Sequence, residues 1–127
     1  MTEIAIDYGR KRTGFAICLS GVVLPQDPLL DTTWAMIAQR IRTLQSKYDS
    51  GTVVLGLPLT SSGKPTELSN EVELLAEYLA REGFEVELIR ETGSTKEAIT
   101  QITDDRRDGK RDSLAAAIIL KRYLGQP

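Results

Sequence analysis

The run TVVLG at residues 52–56 does most to limit what this chain can fold into. It is short, continuously apolar and β-branched, the pattern of a strand covered on both faces, and such strands belong to parallel sheets flanked by helices. Its surroundings agree. Upstream, Trp34, Ile37, Ala38, Ile41, Leu44 and Tyr48 recur at three- and four-residue spacing. That predicts an amphipathic helix over 33–48, with Asp31, Thr32 and Thr33 as candidate N-caps. Downstream, LPLTSSGKP at 57–65 reads as a loop rich in turn residues. Pro65 reads as part of the first turn of a second helix, which carries Leu68, Val72, Leu75, Ala76 and Leu79 on one face as far as Arg81. Gly83 stands where a C-terminal cap is needed. FEVELI at 84–89 follows as a further strand. The result is a βαβ half whose strands should be parallel and whose crossovers should be right-handed.

The first quarter has a different character. EIAID at 3–7 and RTGFAICLS at 12–20 are strand-like runs joined by a short turn containing Gly9, a hairpin signal. A third short strand is expected at Val22–Leu24 after Gly21, with Pro25 and Pro28 then breaking the chain. Beyond the βαβ half, a helix of about two turns is expected from Ser94. A basic, glycine-containing loop, RRDGKR at 106–111, leads into a last helix, DSLAAAIILKRYL, apolar on most of its circumference until Lys121 and so expected to be buried. The order β-β-β-α-β-α-β-α-α over 127 residues, without repeat or linker, points to one α/β domain spanning 1–127.

Composition narrows the chemistry chiefly by an absence. The chain has no histidine, which removes Ser-His-Asp and Cys-His catalysis, histidine general bases and most zinc sites. The single cysteine, Cys18, sits inside an apolar run and reads as a small buried hydrophobe. A disulfide framework is therefore excluded, and a reducing, cytoplasmic setting fits. No run approaches the roughly 18 apolar residues of a membrane span. MTEIAIDY has an acid at position 3 and no basic segment, unlike a signal peptide. Net charge is −2, so any preference for nucleic acid has to be local.

Functional groups in α/β sheets gather at the carboxyl ends of the parallel strands. There the first strand carries Asp7, the FEVELI strand carries Glu91, and the last helix opens on Asp112. Three clustered carboxylates repel one another, and a cation is the usual remedy. With only oxygen ligands on offer, Mg²⁺ or Mn²⁺ is the natural choice, and carboxylates holding such ions are standard equipment for phosphodiester hydrolysis. Plainer readings exist for each. Asp112 before SLAAA is a good N-cap, Glu91 could be an exposed acid at a strand end, and Asp7 could be the ion-pair partner of Arg10 or Arg12. Both basic runs, Arg10-Lys11-Arg12 and Arg106-Arg107 with Lys110-Arg111, adjoin these acids, where a phosphate backbone needs neutralising. Lys64 would be a third contact at the same edge.

Four segments, IAIDYGRKRTGFAI, VVLGLPLTSSGKP, ELIRETGSTKEA and RDSLAAAIILKRYL, occur in family order and resemble the YqgF or RuvX family of pre-16S rRNA nucleases, also described as Holliday junction resolvases. The resemblance covers nearly the whole chain. It implies an RNase H-like (RuvC-like) fold with a five-stranded mixed sheet flanked by helices. It also implies catalytic and metal-binding roles for Asp7, Glu91 and Asp112, use of Mg²⁺ or Mn²⁺, and endonuclease action on structured nucleic acid. The implied substrate is precursor 16S rRNA at its 5′ end, within a precursor of the small ribosomal subunit. Nucleic-acid contacts are expected from Arg10, Lys11, Arg12, Lys64, Arg107, Lys110 and Arg111. The chain departs from the family pattern at Arg90-Glu91-Thr92-Gly93, where the family reads D-E-R-L, and in a shorter stretch between Thr95 and Asp112. Asp104, Asp105 and Asp108 are competing acids, ranked below the helix-opening Asp112. TVVLG ends without an acid, so Glu91, one strand further out, would have to lean back to serve.

Three alternatives stand beside this reading. A four-way DNA junction resolvase would need a two-fold dimer for symmetric cutting. A catalytically weak RNA- or ribosome-binding module would keep the fold without the metal. An actin-like or sugar-kinase ATPase shares the D-x-G turn but needs two such domains.

Overall fold

The computed structural model describes residues 2–92 and 110–126, and at positions 50, 92 and 110–112 the backbone alone. Five strands form one sheet in the order β3-β2-β1-β4-β5. Strands β1 (Thr2–Asp7), β2 (Arg12–Leu19) and β3 (Val22–Leu30) make an antiparallel meander. Strand β4 (Ser50–Leu59) returns parallel to β1, and β5 (Glu85–Thr92) lies parallel to β4. The mixed five-stranded sheet expected from the sequence is thus present, with TVVLG inside it, between β1 and β5.

Helices α1 (Trp34–Tyr48) and α2 (Glu67–Arg81) cover one face of the sheet and α3 (Lys110–Tyr123) the other. The larger core fills the first face: Ile4, Ile6, Phe15, Ile17, Val53 and Leu55 from the sheet meet Ile37, Ile41, Val72, Leu75 and Leu79 from the helices. The second face is built from smaller groups. Ala5, Ala16 and Val54 meet Ala116, Ala117, Ile119 and Leu120 of α3, with Cys18 buried among them. Small side chains on both partners let a helix come close to a sheet.

Local chemistry explains most of the boundaries. Thr33 caps α1, its hydroxyl accepting from the Met36 amide at 3.2 Å. Thr66 and Ser69 form a reciprocal capping box at the start of α2. That moves Pro65 out of the helix, where the sequence placed it. It instead bridges to Leu59 ahead of the cap. At the other end of α2, the Gly83 amide bonds to Ala80 and the Phe84 amide to Leu79. Gly83 has φ +97°, so this is a Schellman ending that only glycine makes cheaply.

Three strands run longer than their sequence signals. β3 continues through Pro25 and Pro28 to Leu30 rather than stopping at Leu24. The reason is its place at the sheet margin. An edge strand leaves one row of backbone groups unpaired, so a missing N–H costs little there, and a register shift opposite Thr13–Phe15 absorbs the second proline. β4 and β5 each continue three residues beyond the expected 56 and 89, pairing Leu57, Pro58 and Leu59 with Arg90, Glu91 and Thr92. Pro58 is tolerated because β1 pairs with β4 only as far as Leu55. The last helix begins at Lys110, so Lys110, Arg111 and Asp112 all lie in its first turn, and Asp112 is not its N-cap. The helix expected near Ser94, with Asp104, Asp105, Arg106, Arg107 and Asp108, lies outside the described residues.

Candidate active site

β1, β4 and β5 are parallel, so their carboxyl ends share one edge of the sheet. Asp7 is the last residue of β1 and only 9% exposed; Glu91 is the penultimate residue of β5 and 1% exposed. Strand alternation decides which face each takes. Asp7 follows the parity of Ala5, and Glu91 that of Ile89, and both apolar residues belong to the core under α3. The two acids are therefore on the α3 face.

Glu91 starts one strand further from Asp7 than a direct neighbour would, yet its carboxylate lies over β4. A Cβ placed on Gly56 would stand 2.6 Å from Glu91 Oε2 and 2.5 Å from Ile119 Cδ1. Gly56 follows Leu55, the partner of Ile6, and so sits beside Asp7 in the sheet. The missing side chain at Gly56 is the space through which Glu91 leans toward β1. A glycine inside an apolar strand is the usual sign of such a close approach, and it could have been read from TVVLG itself.

The start of α3 is fixed to the same edge. Ser113 is fully buried, and its Oγ accepts from the Phe15 amide at 3.4 Å. Phe15 is the cross-strand partner of Ile6, the residue before Asp7. The backbone of Asp112 therefore stands in the first helical turn beside the end of β1. Among the described residues, no three acids, cysteines or histidines are close enough to hold an ion, and the side chain of Asp112 lies outside that set.

The basic residues divide. The turn after Asp7 is closed by Gly9, whose missing Cβ would fall 2.4 Å from the Arg12 carbonyl oxygen. Thr13 Oγ1 also bonds the Gly9 carbonyl at 3.0 Å. Lys11 and Arg12 are exposed on this turn. Lys64 is exposed in the loop after β4, a tight turn in which the Thr60 amide bonds the Lys64 carbonyl at 3.0 Å. Arg10 goes elsewhere: it pairs with Glu71 of α2 at 2.8 Å, on the face opposite Asp7. Lys110 and Arg111 are helical, with side chains outside the description, and Arg107 lies outside it altogether.

The Arg10 guanidinium, and after it the Tyr8 hydroxyl, hold the Glu71 carboxyl below the ordinary carboxylate range. A depressed folded pKa contributes stability that is present above the unfolded value and lost as pH falls through the folded one. Glu71→Gln should therefore lower the urea midpoint at pH 7, with the difference from wild type shrinking as pH falls below the ordinary glutamate value of about 4.3, measured by paired urea melts.

A family model described as RuvX, Holliday junction resolvase, matches residues 1–126. The chain belongs to the RuvX family. A relative from Campylobacter lari named "Putative pre-16S rRNA nuclease" is 31% identical over 128 residues, covering 98% of each chain. One of the same name from Bordetella parapertussis is 36% identical over 126 residues, covering 97% of this chain and 92% of the relative. Among solved structures, the zinc-bound large terminase nuclease of phage G20c superposes with a TM-score of 0.62 at 16% identity, covering 96% of this chain and 80% of that one. The Thermus thermophilus RuvC in complex with a Holliday junction gives 0.52 at 13%, covering 98% and 96%. The fold is RNase H-like, as the sequence implied. Within the RuvX family this chain is a nuclease, a hydrolase acting on nucleic acid, and its fold implies a divalent metal. The residues fit such an ion. Two buried carboxylates share one face and one edge of the sheet, one of them seated over a glycine, and a hard cation takes oxygen ligands.

Proposed function

We propose that this RuvX chain is an Mg²⁺- or Mn²⁺-dependent endonuclease that trims the 5′ end of precursor 16S rRNA. The observation that carries the reading is the convergence of Asp7, Glu91 and the first turn of α3 at one edge of the sheet. In this reading Asp7, Glu91 and Asp112 hold the metal, which when bound supplies positive charge to the scissile phosphate. Asp112 orients the attacking water. Lys11, Arg12 and Lys64 take backbone phosphates at the same edge, joined by Arg10, Arg107, Lys110 and Arg111. The choice of rRNA rests on the names of the relatives and on the motif resemblance. The family description keeps one second reading, cleavage of four-way DNA junctions. Among the described residues, no helix is long and apolar enough to cross a membrane. A cytoplasmic site of action, on a precursor of the small ribosomal subunit, is part of the proposal.

The test is cleavage of a labelled precursor 16S rRNA 5′-leader fragment, with Mn²⁺ and with EDTA, beside a four-way DNA junction. Metal-dependent cutting of the RNA alone is expected. Cutting of the junction alone would replace the substrate, and cutting of neither would leave a binding module. Metal binding has its own readout. At a hundredfold excess over its dissociation constant, Mn²⁺ should add about 2.7 kcal/mol of stability. Thermal melts should show the gain in wild type and lose most of it in Glu91→Gln.

A further inference from the structure

The turn that follows Asp7 is gripped from the far face of the sheet. Glu71, in α2, accepts a bond from the Tyr8 hydroxyl on Oε1 at 2.7 Å, while Oε2 accepts from Arg10 Nε at 2.9 Å and stands 2.8 Å from Arg10 Nη2. Trp34 Nε1 donates to the Tyr8 hydroxyl at 3.4 Å and completes the cluster. The sequence separations are 63 and 61 residues, so α2 is tied directly to the end of β1. On its other side the turn is tied to the chain after β3, where the Asp31 amide bonds the Lys11 carbonyl at 2.7 Å and the Thr32 amide bonds that of Arg10 at 3.1 Å.

An acid at this edge is a liability for a protein that must take up a polyanion. It repels phosphate and cancels one of the few cations nearby. Its presence has an explanation in geometry. Arg10 remains 65% exposed although Nε and Nη2 are engaged, so its outer side is turned to solvent in a fixed orientation. An arginine held by a carboxylate in this way loses less freedom when it binds phosphate. Tyr8, the other arm, is the residue next to Asp7 and is nearly buried.

We propose that Glu71 is a positioning residue of the nuclease: through Tyr8 it fixes the turn behind Asp7, and through Arg10 it presents a guanidinium to the substrate backbone. The inference rests on the nuclease reading above.

The two arms separate experimentally. Affinity for the precursor RNA fragment is measured in metal-free buffer for wild type, Glu71→Gln, Arg10→Ala and the double variant; kcat and KM are measured with Mn²⁺ for these and for Tyr8→Phe. Glu71→Gln should weaken RNA binding about threefold although it removes a negative charge, and should cost nothing further once Arg10 is alanine. Tyr8→Phe should lower kcat about tenfold with KM little changed, in protein shown by thermal melting to be fully folded. Tighter RNA binding by Glu71→Gln would overturn the Arg10 arm, since Glu71 would then only repel. An unchanged kcat in Tyr8→Phe would overturn the Tyr8 arm. If wild type cuts no nucleic acid, the nuclease reading fails by itself, and the metal-free binding cycle still decides the Arg10 arm.

Discussion

Asp7→Asn should reduce metal-dependent cleavage by about three orders of magnitude or more, roughly 4 kcal/mol of lost transition-state stabilisation, in protein that stays folded. Asp7 ends the strand that lies between β2 and β4, and it is nearly buried on the face that α3 covers. Every other group of the candidate site reaches its edge from a neighbouring element: Glu91 across Gly56, the first turn of α3 through Ser113, and the basic turn directly along the chain. Asparagine has the same shape, so packing against the strand is kept, but the formal charge that a cation needs is gone. Circular dichroism and the metal-free melt should therefore match wild type, while the Mn²⁺-induced stabilisation and the cleavage both disappear. Cleavage within tenfold of wild type would remove Asp7 from the site and the metal-based proposal with it.

What the sequence could say about this site divides along physical lines. TVVLG, the two amphipathic helices and the N-terminal hairpin were legible because each carries a local periodicity, and the sheet follows from them. The Ser20-Gly21 turn shows the same legibility. Both residues have positive φ, in a two-residue loop that suits the twist of the strands it joins. β3 runs past its signal at Leu24 because proline is a breaker only where its N–H is needed, and a strand's place at the edge of a sheet is a property of the whole fold. The ends of β4 and β5 run past their signals for a related reason: Leu57-Pro58-Leu59 contains a proline and leads straight into turn residues, and pairing with Arg90-Glu91-Thr92 keeps it extended. Asp7 and Glu91 were visible as acids at the ends of apolar runs. Glu71 was not. It is one of several glutamates in an amphipathic helix, and nothing in the sequence between it and Arg10, 61 positions earlier, announces their contact.

Gly56→Ala is the sharpest test of how the site is assembled, because one methyl group disturbs two things that can be told apart. The strand backbone accepts alanine, as Gly56 is not among the positive-φ glycines of the described chain. By itself the change should stabilise the protein by about 0.4–1 kcal/mol, through a less flexible unfolded chain. Against that, the new Cβ would fall 2.5 Å from Ile119 Cδ1 and 2.6 Å from Glu91 Oε2, both at the ends of buried side chains. Overpacking of this kind costs about 1–3 kcal/mol, so the net result should be destabilisation by about 1–2 kcal/mol. Displacing the Glu91 carboxylate by even an ångström should cost cleavage about a hundredfold. Ile119→Val separates the two effects. It removes the Cδ1 methyl that the alanine would strike, at a cost of about 0.5–1.5 kcal/mol alone, but in the double variant it exchanges one methyl for another within the same core. The double variant should therefore melt closer to wild type than Gly56→Ala does, while its cleavage stays low, because Oε2 of Glu91 is still pushed from its place. If cleavage returned together with stability, Gly56 would matter only for the packing of α3, and Glu91 would need no particular position over β4.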